Sequence, residues 1–337
     1  MALQFTNFKI LKYHQMSKNI FLAICVLVST AVAAQTPADT TKKQVKADTV
    51  VPNWKKGGLV GFNFTQASFT NWAAGGINSI SGQFLFNTFA NYKRGMTTWD
   101  NILDISYGLT KQGTNTTVRK ADDKLDITSK YGQYAFKKVW YYSILANFKT
   151  QFQPGYNYLG DTARTLISDF MSPGYLIVAI GLDYKPNDKF SIFTAPATAK
   201  YTYVLNQSLA DAGAYGVEKA IYDTAGNRLI PGRNVRQEFG GYFRMQYRGD
   251  VMKNVNLLAK LELFSNYLDR PQNIDVNAEV LVTMKVNKFI SATINMQAIY
   301  DNDINIAVDN NNDGVMDGAG PRLQFRQVVA VGVAYKF

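Results

Sequence analysis

The segment DNNNDGVMDG, residues 309–318, is the clearest candidate for chemistry in the chain. Oxygen-bearing residues recur at alternate positions, as in a calcium-binding loop, and a glycine follows at the sixth position, where such loops turn sharply. The candidate ligands are Asp309, Asn311, Asp313, the main-chain carbonyl of Val315, and Asp317. Position 12 is glycine rather than a bidentate glutamate, and the same residue types are common in plain hairpin loops. Two interpretations of this segment remain open, a weakly bound calcium ion and a plain solvated turn. No other cofactor is expected.

Enzymatic chemistry has little support in this sequence. Histidine is the most frequent general base and often activates a nucleophile. The single histidine, His14, and the single cysteine, Cys25, both lie in the first 34 residues. Asp100 and Asp104 would stand about 13 Å apart on one strand face, beyond the roughly 5–9.5 Å used by paired glycosidase carboxylates. We therefore expect no enzyme, although carboxylates on different strands could still approach one another.

Residues 1–34 have the pattern of an export signal. Three lysines precede an apolar run over residues 20–28, and small residues follow at 31–34. This is typical of a secretory signal peptide, and the run is shorter than the roughly 18–20 residues of a spanning helix. We expect an N-terminal extension and signal peptide that are removed, lowering the formal charge from +11 to +8 and removing both His14 and Cys25.

The rest of the chain falls into two regions that differ in composition and periodicity. Residues 35–53 are rich in Thr, Lys, Asp and Pro without periodicity, which predicts a disordered periplasmic linker. From Trp54 onward the pattern is uniform, which indicates one domain over residues 54–337. The basic residues are scattered rather than clustered, so no nucleic-acid partner is expected.

Charged residues in this domain alternate with apolar ones. Because strand side chains point to opposite faces in turn, the charges share one face of each strand. We predict that they line an enclosed interior as a ladder of ion pairs; the residues are Asp100, Asp104, Asp126, Lys130, Glu238, Arg244, Arg248, Lys260, Glu262, Asp275, Glu279, Lys285, Arg322 and Arg326.

The same alternation predicts about twelve strands. In the final segment, RLQFRQVVAVGVAYKF, apolar residues occupy almost every second position. The predicted strands lie near 58–68, 78–92, 97–110, 123–136, 139–153, 174–185, 189–206, 235–248, 253–266, 273–286, 289–301 and 322–337. An even count is the rule for bacterial outer-membrane barrels.

The connections alternate in length, as outer-membrane barrels require. Every second connection is short, and the others are mostly long: 69–77, 111–122, 154–173, 207–234, 267–272 and 302–321. A soluble β-sandwich also alternates, with its apolar face as the core. The export signal, the 21 phenylalanines and 20 tyrosines, and strands much longer than the usual roughly 5–6 residues favour the membrane. We predict an all-β, transmembrane, antiparallel up-and-down barrel with short periplasmic turns and longer external loops.

The last strand ends on Tyr335 and Phe337. An alternating strand that ends this way is similar to the signal by which outer-membrane barrels are handed to the barrel assembly machinery. The same aromatic residues would also suit an interfacial girdle.

Several segments resemble one family. They are FTNWAAGGINSISG (69–82), WDNILDISYG (99–108), DDKLDITSKYG (122–132), NFKTQFQPGY (147–156) and LFSNYLDRPQNIDVN (263–277). They are similar to the Bacteroidota family catalogued as domain of unknown function 3078, over about residues 54–337. The resemblance implies an outer-membrane barrel, and it brings no catalytic residues and no ligand.

Two functional hypotheses follow. The first is a porin-like, narrow passive channel or a structural scaffold, in which Arg244, Arg322 and Arg326 would bias flux toward a small anionic solute. The alternative is a surface ligand-binding or adhesion protein that acts through the external loops near 154–173, 207–234 and 302–321. In both, the protein is expected to be a monomer surrounded by outer-membrane lipid.

Overall fold

The computed structural model describes residues 53–68, 78–113, 117–159, 163–287, 290–308 and 317–337. The chain divides into two units, residues 1–51 and 52–337, and every described residue belongs to the second. The predictions for the signal peptide, for the linker up to residue 52 and for the loop at 309–316 fall outside the described residues. In the part of the chain that is described, no helix has the length and hydropathy needed to cross a membrane.

Twelve antiparallel strands form a closed barrel, and each pairs with its neighbours in the chain. The strands are β1 (Trp54–Ala67), β2 (Ser79–Arg94), β3 (Thr97–Gln112), β4 (Arg119–Phe136), β5 (Trp140–Thr150), β6 (Gly174–Asn187), β7 (Phe190–Tyr203), β8 (Val235–Met252), β9 (Val255–Asn266), β10 (Ile274–Lys285), β11 (Ile290–Tyr300) and β12 (Gln324–Lys336). The predicted antiparallel up-and-down barrel of about twelve strands is confirmed.

Some strands extend beyond their predicted ends. β1 begins at Trp54 rather than residue 58, β4 begins at Arg119 rather than residue 123, and β8 ends at Met252 rather than residue 248. The added segments, WKKG, RKAD and GDVM, carry charged residues and lack a run of alternating apolar side chains. Pairing with the neighbouring strand, rather than hydrophobic pattern, continues these strands.

The sheet closes between β1 and β12. Phe62 lies opposite Val333, and the main chains of Gly58 and Phe337 exchange two hydrogen bonds of 2.9 and 3.0 Å. This seam has five residue pairs, from Leu59 opposite Lys336 to Asn63 opposite Gly332, and it is shorter than the pairings on the other sides of β1 and β12.

The outer and inner faces of the barrel differ in polarity. Outward-pointing large apolar side chains are exposed, among them Phe62, Phe64, Ile127, Ile144, Ile180, Phe239, Val329 and Val331. Inward-pointing charged residues are buried; Asp126 and Lys260 are only 2% and 6% exposed. A water-soluble barrel has the reverse arrangement, with apolar side chains inside.

Connections at the two ends of the barrel differ in length. At the turn end they comprise residues 95–96, 137–139, 188–189, 253–254 and 286–289, and at the loop end residues 68–78, 113–118, 151–173, 204–234, 267–273 and 301–323. The predicted alternation of short and long connections is present throughout.

Among the described residues, three of the long loops contain secondary structure of their own. The loop 151–173 contains a hairpin of Gly155–Leu159 with Ala163–Ser168, and the loop 301–323 one of Ile306–Val308 with Gly318–Gly320. The loop 204–234 contains helix α1 (Gln207–Asp211) and a hairpin formed by Ile221–Tyr222 and Arg228–Ile230. Buried Val204, Leu209, Ala210 and Val217 pack together beneath it.

Substituting Gly240 tests the closeness of the strands. An added Cβ would lie 1.9 Å from the carbonyl oxygen of Ser265 on β9, next to a register shift between β8 and β7. We expect Gly240→Ala to lower the free energy of unfolding by about 1–3 kcal/mol, because main-chain atoms must move apart. Gly82→Ala is the control, since its nearest atom would be 3.6 Å away. Denaturant titration in detergent measures both, and equal stabilities would contradict this account.

Candidate functional site

A layer of ion pairs crosses the middle of the lumen. We call it the waist cluster, and it comprises Lys124, Asp126, Lys149, Arg244, Lys260, Glu262 and Glu279. These residues come from β4, β5, β8, β9 and β10. Each occupies an inward position of its strand, so the alternation of strand side chains brings all seven into one space.

Lys260 joins the two sides of the waist cluster. Its Nζ lies 2.9 Å from Oδ2 of Asp126 and 3.3 Å from Oε2 of Glu279. The other oxygen of Glu279 accepts from Nζ of Lys124 at 2.6 Å. Since β4 and β10 are six strands apart in the closed order of twelve, the Lys124–Glu279 pair joins opposite walls of the barrel.

Glu262 is the second centre of the waist cluster. Lys149 pairs with it, and Nη1 of Arg244 lies 3.3 Å from its Oε1. The hydroxyl of Tyr242 donates to Oε1 at 2.8 Å, and the amide of Asn277 donates to Oε2 at 2.8 Å. Each carboxylate oxygen therefore has one neutral hydrogen-bond donor and one basic side chain beside it.

Pairing is an energetic requirement here. A buried charge without a partner costs several kcal/mol, whereas a paired one is tolerated. Lys260, Glu262 and Arg244 have side chains only 4–6% exposed. The waist cluster contains four basic and three acidic groups, and a further carboxylate, Asp104, lies directly opposite Asp126 in the β3–β4 register.

The waist cluster separates two cavities. The vestibule, at the loop end, has a volume of about 800 Å³, and Lys149, Tyr242 and Glu262 form part of its floor. The turn-end cavity has a volume of about 50 Å³, and its lining includes Thr128 and Arg244. The ion pairs thus lie between a wide space on one side and a small one on the other.

Apolar side chains narrow one side of the lumen. Phe193 and Tyr242 meet edge to face with ring centroids 6.3 Å apart. They belong to a buried cluster with Leu145, Ala179, Ala195 and Phe264. Because these residues fill the space beside β5 to β9, the waist cluster closes a passage that is already constricted.

Tyr215, in the loop 204–234, helps to line the vestibule. Its hydroxyl donates a hydrogen bond of 2.7 Å to the carbonyl oxygen of Ile167 in the loop 151–173. Burial raises the pKa of Tyr215 to about 12. The phenol therefore stays protonated, and the link between the two loops persists, throughout the physiological pH range.

Most sequence-predicted residues lie in the lumen. Asp126, Arg244, Lys260, Glu262 and Glu279 are in the waist cluster. Five others pair elsewhere inside the barrel: Lys130 with Asp183 at 2.7 Å, Asp100 with Lys185 at 2.7 Å, Glu238 and Asp275 with Lys200 at 3.3 and 2.6 Å, and Arg326 with Asp122. Asp104 accepts from the amide of Asn87.

Lys285 and Arg322 do not lie with the others. Lys285 is exposed at the last position of β10, at the turn end. Arg322 is exposed two residues before β12 begins and donates to the carbonyl of Pro321 at 3.0 Å. The alternation of polar and apolar residues continues beyond the part of each strand that encloses the lumen. The prediction therefore placed Lys285 and Arg322 in the lumen, although both lie outside it.

The sequence analysis missed several partners of the predicted residues. They are Asp122, Lys124, Lys149, Asp183, Lys185, Lys200 and Tyr242. The signal was present, because Lys124 lies two residues before Asp126 and therefore on the same face. Of the candidate calcium ligands, only Asp317 is among the described residues. Within those residues no group of three or more acidic, His or Cys side chains is placed to hold a metal.

Comparison with known proteins gives one family match. The family described as "Protein of unknown function (DUF3078)" matches residues 64–156, a shorter stretch than the resemblance predicted from the sequence. No curated protein matches the chain.

Solved structures that are similar to this chain include three proteins of low sequence identity. An outer membrane channel from Pseudomonas putida F1 is 11% identical, covers 87% of this chain and 100% of its own, and has a TM-score of 0.36. The translocator domain of autotransporter NalP from Neisseria meningitidis is 10% identical, with coverages of 86% and 90% and a TM-score of 0.32. The P. putida toluene transporter TodX is 12% identical, with coverages of 85% and 79% and a TM-score of 0.29. Likenesses at this level say nothing of activity.

Removing one cation tests whether the waist cluster is an interdependent unit. We expect Lys260→Met to lower the free energy of unfolding by about 3–5 kcal/mol, because buried Asp126 and Glu279 lose a counter-charge. Lys336→Met is the matched control, since Lys336 pairs with Asp250 at the surface, and we expect a change of about 0–1 kcal/mol there. Denaturant unfolding in detergent measures both. A Lys260 variant as stable as the control would show that the cluster is not held by charge.

Proposed function

We propose that the protein is an outer-membrane barrel that acts as a narrow conduit for small solutes and is closed at rest by the waist cluster. The observation that carries the proposal is the Lys124–Glu279 pair, which joins opposite walls between the two cavities. Opening requires only that long, flexible side chains exchange partners, while the strands keep their pairing.

The polarity of the barrel supports a membrane location. Exposed outer residues such as Phe325, Val329 and Val333 form a continuous apolar surface on β12, and the same holds on other strands. Soluble monomers rarely expose such a surface, and lipid-facing apolar residues with polar ones inside are typical of outer-membrane barrels. In this setting the turn end faces the periplasm and the loop end the outside, and lipid surrounds a monomer. Tyr335 and Phe337, both outward and exposed, suit recognition by the assembly machinery.

Lumen size supports a gated conduit over an open pore. Barrels of about eight strands are filled by side chains, whereas those of about sixteen or more enclose an aqueous channel. This twelve-stranded barrel has an open vestibule of about 800 Å³ and a closed waist. A simple anion filter built on Arg244, Arg322 and Arg326 is not supported, because Arg322 is exposed outside the lumen and the other two are paired with carboxylates.

A second candidate function is ligand binding at the outer surface. One observation favours it: the loop 204–234 is folded and presents exposed Ile221, Tyr222, Leu229 and Ile230 on its hairpin. Asp211 holds the base of this hairpin. Hydrogen bonds from the Gln207 side chain and the Gly232 main chain, together with Arg228, hold the pKa of Asp211 below its usual value.

The membrane location can be tested by substituting one outward residue. Val329 lies near the middle of β12 and is 62% exposed. In lipid, we expect Val329→Arg to lower the free energy of unfolding by about 2–4 kcal/mol, and Val251→Arg, at the turn end of β8, by only about 0–1 kcal/mol. Unfolding is followed by denaturant titration in vesicles. If Val329→Arg costs no more than Val251→Arg, the outer face does not contact acyl chains.

Planar-bilayer recording tests the closed waist. We expect the wild-type barrel to show no steady conductance. Replacing Lys124, Asp126, Lys260 and Glu279 together by serine removes two cations and two anions and shortens the side chains that join the walls. This variant should therefore give stepwise conductance, because the vestibule and the turn-end cavity become continuous.

The matched control replaces four exposed residues by serine. Lys55, Asp188, Asp250 and Lys336 also form two ion pairs, but these lie at the surface. This control should stay silent. Steady conductance by the wild type would show that the waist is open. Silence of a correctly folded waist variant, checked by heat-dependent gel mobility, would reject the conduit and favour the surface-binding function.

A further inference from the structure

Arg248 differs from the other charges of the lumen. Nε, Nη1 and Nη2 of its guanidinium are shielded from solvent, and none has a hydrogen-bond partner within the described residues. No carboxylate among those residues forms an ion pair with it. The ring of Phe89 lies beneath the guanidinium at 5.1 Å, which holds its plane in position without neutralising its charge.

Arg248 is one of the residues that line the turn-end cavity, whose walls are rich in cations. Lys130, Lys185, Lys189 and Arg244 also line this cavity, against two carboxylates, Asp100 and Asp188. The cavity lies close to the turn end, since the main-chain amide of Arg248 donates to the carbonyl of Lys189 in the turn between β6 and β7.

Most of these cations are neutralised by neighbouring carboxylates. Lys130 pairs with Asp183, and Lys185 pairs with Asp100. Arg244 is neutralised by Glu262 in the waist cluster. The carboxylate of Asp188 is turned toward Lys55 at the surface, at 3.4 Å. The guanidinium of Arg248 is therefore the shielded cation of this cavity that has no ion-pair partner among the described residues; the carboxylate of Asp104 acts on it electrostatically without pairing with it.

Burying a guanidinium without an ion-pair partner is unfavourable, so a bound counter-ion is the expected complement. The planar group presents several N–H donors in a fork that matches two oxygens of an oxyanion. A volume of about 50 Å³ holds a few water-sized groups, since one water needs roughly 10–15 Å³ on this measure. That is room for one small inorganic anion and excludes a bulky organic acid.

We propose that the turn-end cavity is a binding site for a small inorganic oxyanion of the phosphate or sulfate class, held by the guanidinium of Arg248. Exposed Lys189, at the mouth of the cavity, attracts the anion from the turn end. The site is independent of conduction: in a barrel that conducts it is the last binding position on the path, and in a barrel that does not it is a periplasm-facing anion site.

Calorimetric titration of the purified barrel in detergent tests the site. Inorganic phosphate and sulfate are the probes, chloride is the halide arm, and gluconate at matched ionic strength is the anion too large to enter. We expect phosphate or sulfate to bind and to raise the melting temperature by a few degrees, since a ligand of the native state stabilises it. Gluconate should do neither.

Substitutions locate the binding. Arg248→Gln should weaken oxyanion binding by at least about tenfold, because the charge and the fork are both lost. Arg248→Lys keeps the charge without the fork, so it should weaken phosphate more than chloride. Arg94→Gln is the control, because Arg94 is an exposed arginine at the same end of the barrel, and its affinity should equal that of the wild type.

Three results would overturn the site. They are no heat of binding for either oxyanion, equal binding of gluconate, or unchanged affinity in Arg248→Gln. If that variant fails to fold, the Arg248→Lys comparison decides, and an unchanged ratio of phosphate to chloride affinity would then count against the proposal. Since the titration involves no transport, a silent bilayer leaves the anion site standing, and loss of anion binding leaves the closed waist standing.

Discussion

Charge compensation across the lumen is the constraint on which the interior depends. Lys260, from β9, reaches Asp126 on β4 and Glu279 on β10 at the same time. Each of these groups is almost fully shielded from water, so none could remain charged there alone. The pairs therefore favour one arrangement of the walls, because a slip of one residue in a strand's register would turn its charged row outward and its apolar row inward.

The same constraint divides the lumen into compartments. The interior is closed where the Lys124–Glu279 pair joins opposite walls. Pairs in the vestibule join strands that are closer together in the ring, as Lys200 does with Glu238 and Asp275, and space remains there. At the turn end, pairing is incomplete at Arg248, and there a small cavity persists. The positions of the cavities thus depend on how far across the lumen each ion pair reaches.

The outer surface obeys a different requirement. β1 pairs with β12 through five residue pairs and so closes the ring. Most strand main-chain groups therefore bond to a neighbouring strand, while the outward side chains are apolar. The long connections all lie at one end of the barrel, where the loops contain hairpins, a helix and a buried apolar cluster. The connections at the turn end are short, so Arg248 lies close to the narrow end of the lumen.

The sequence by itself determined the class of fold, the number of strands and the parity of the connections. It could do so because strand side chains alternate with a period of two, so neighbouring residues report the face they occupy. It also indicated which charges share the inner face, and it erred at Lys285 and Arg322, where the pattern runs beyond the enclosed region. Only the tertiary structure decided that Lys124 meets Glu279, that Tyr242 supports Glu262, and that Arg248 has no partner within the described residues. These relations join residues up to 155 positions apart. They depend on how far each strand is staggered against the next around the barrel. This stagger adds up over many strand pairs, so it cannot be predicted from the pattern of any one segment.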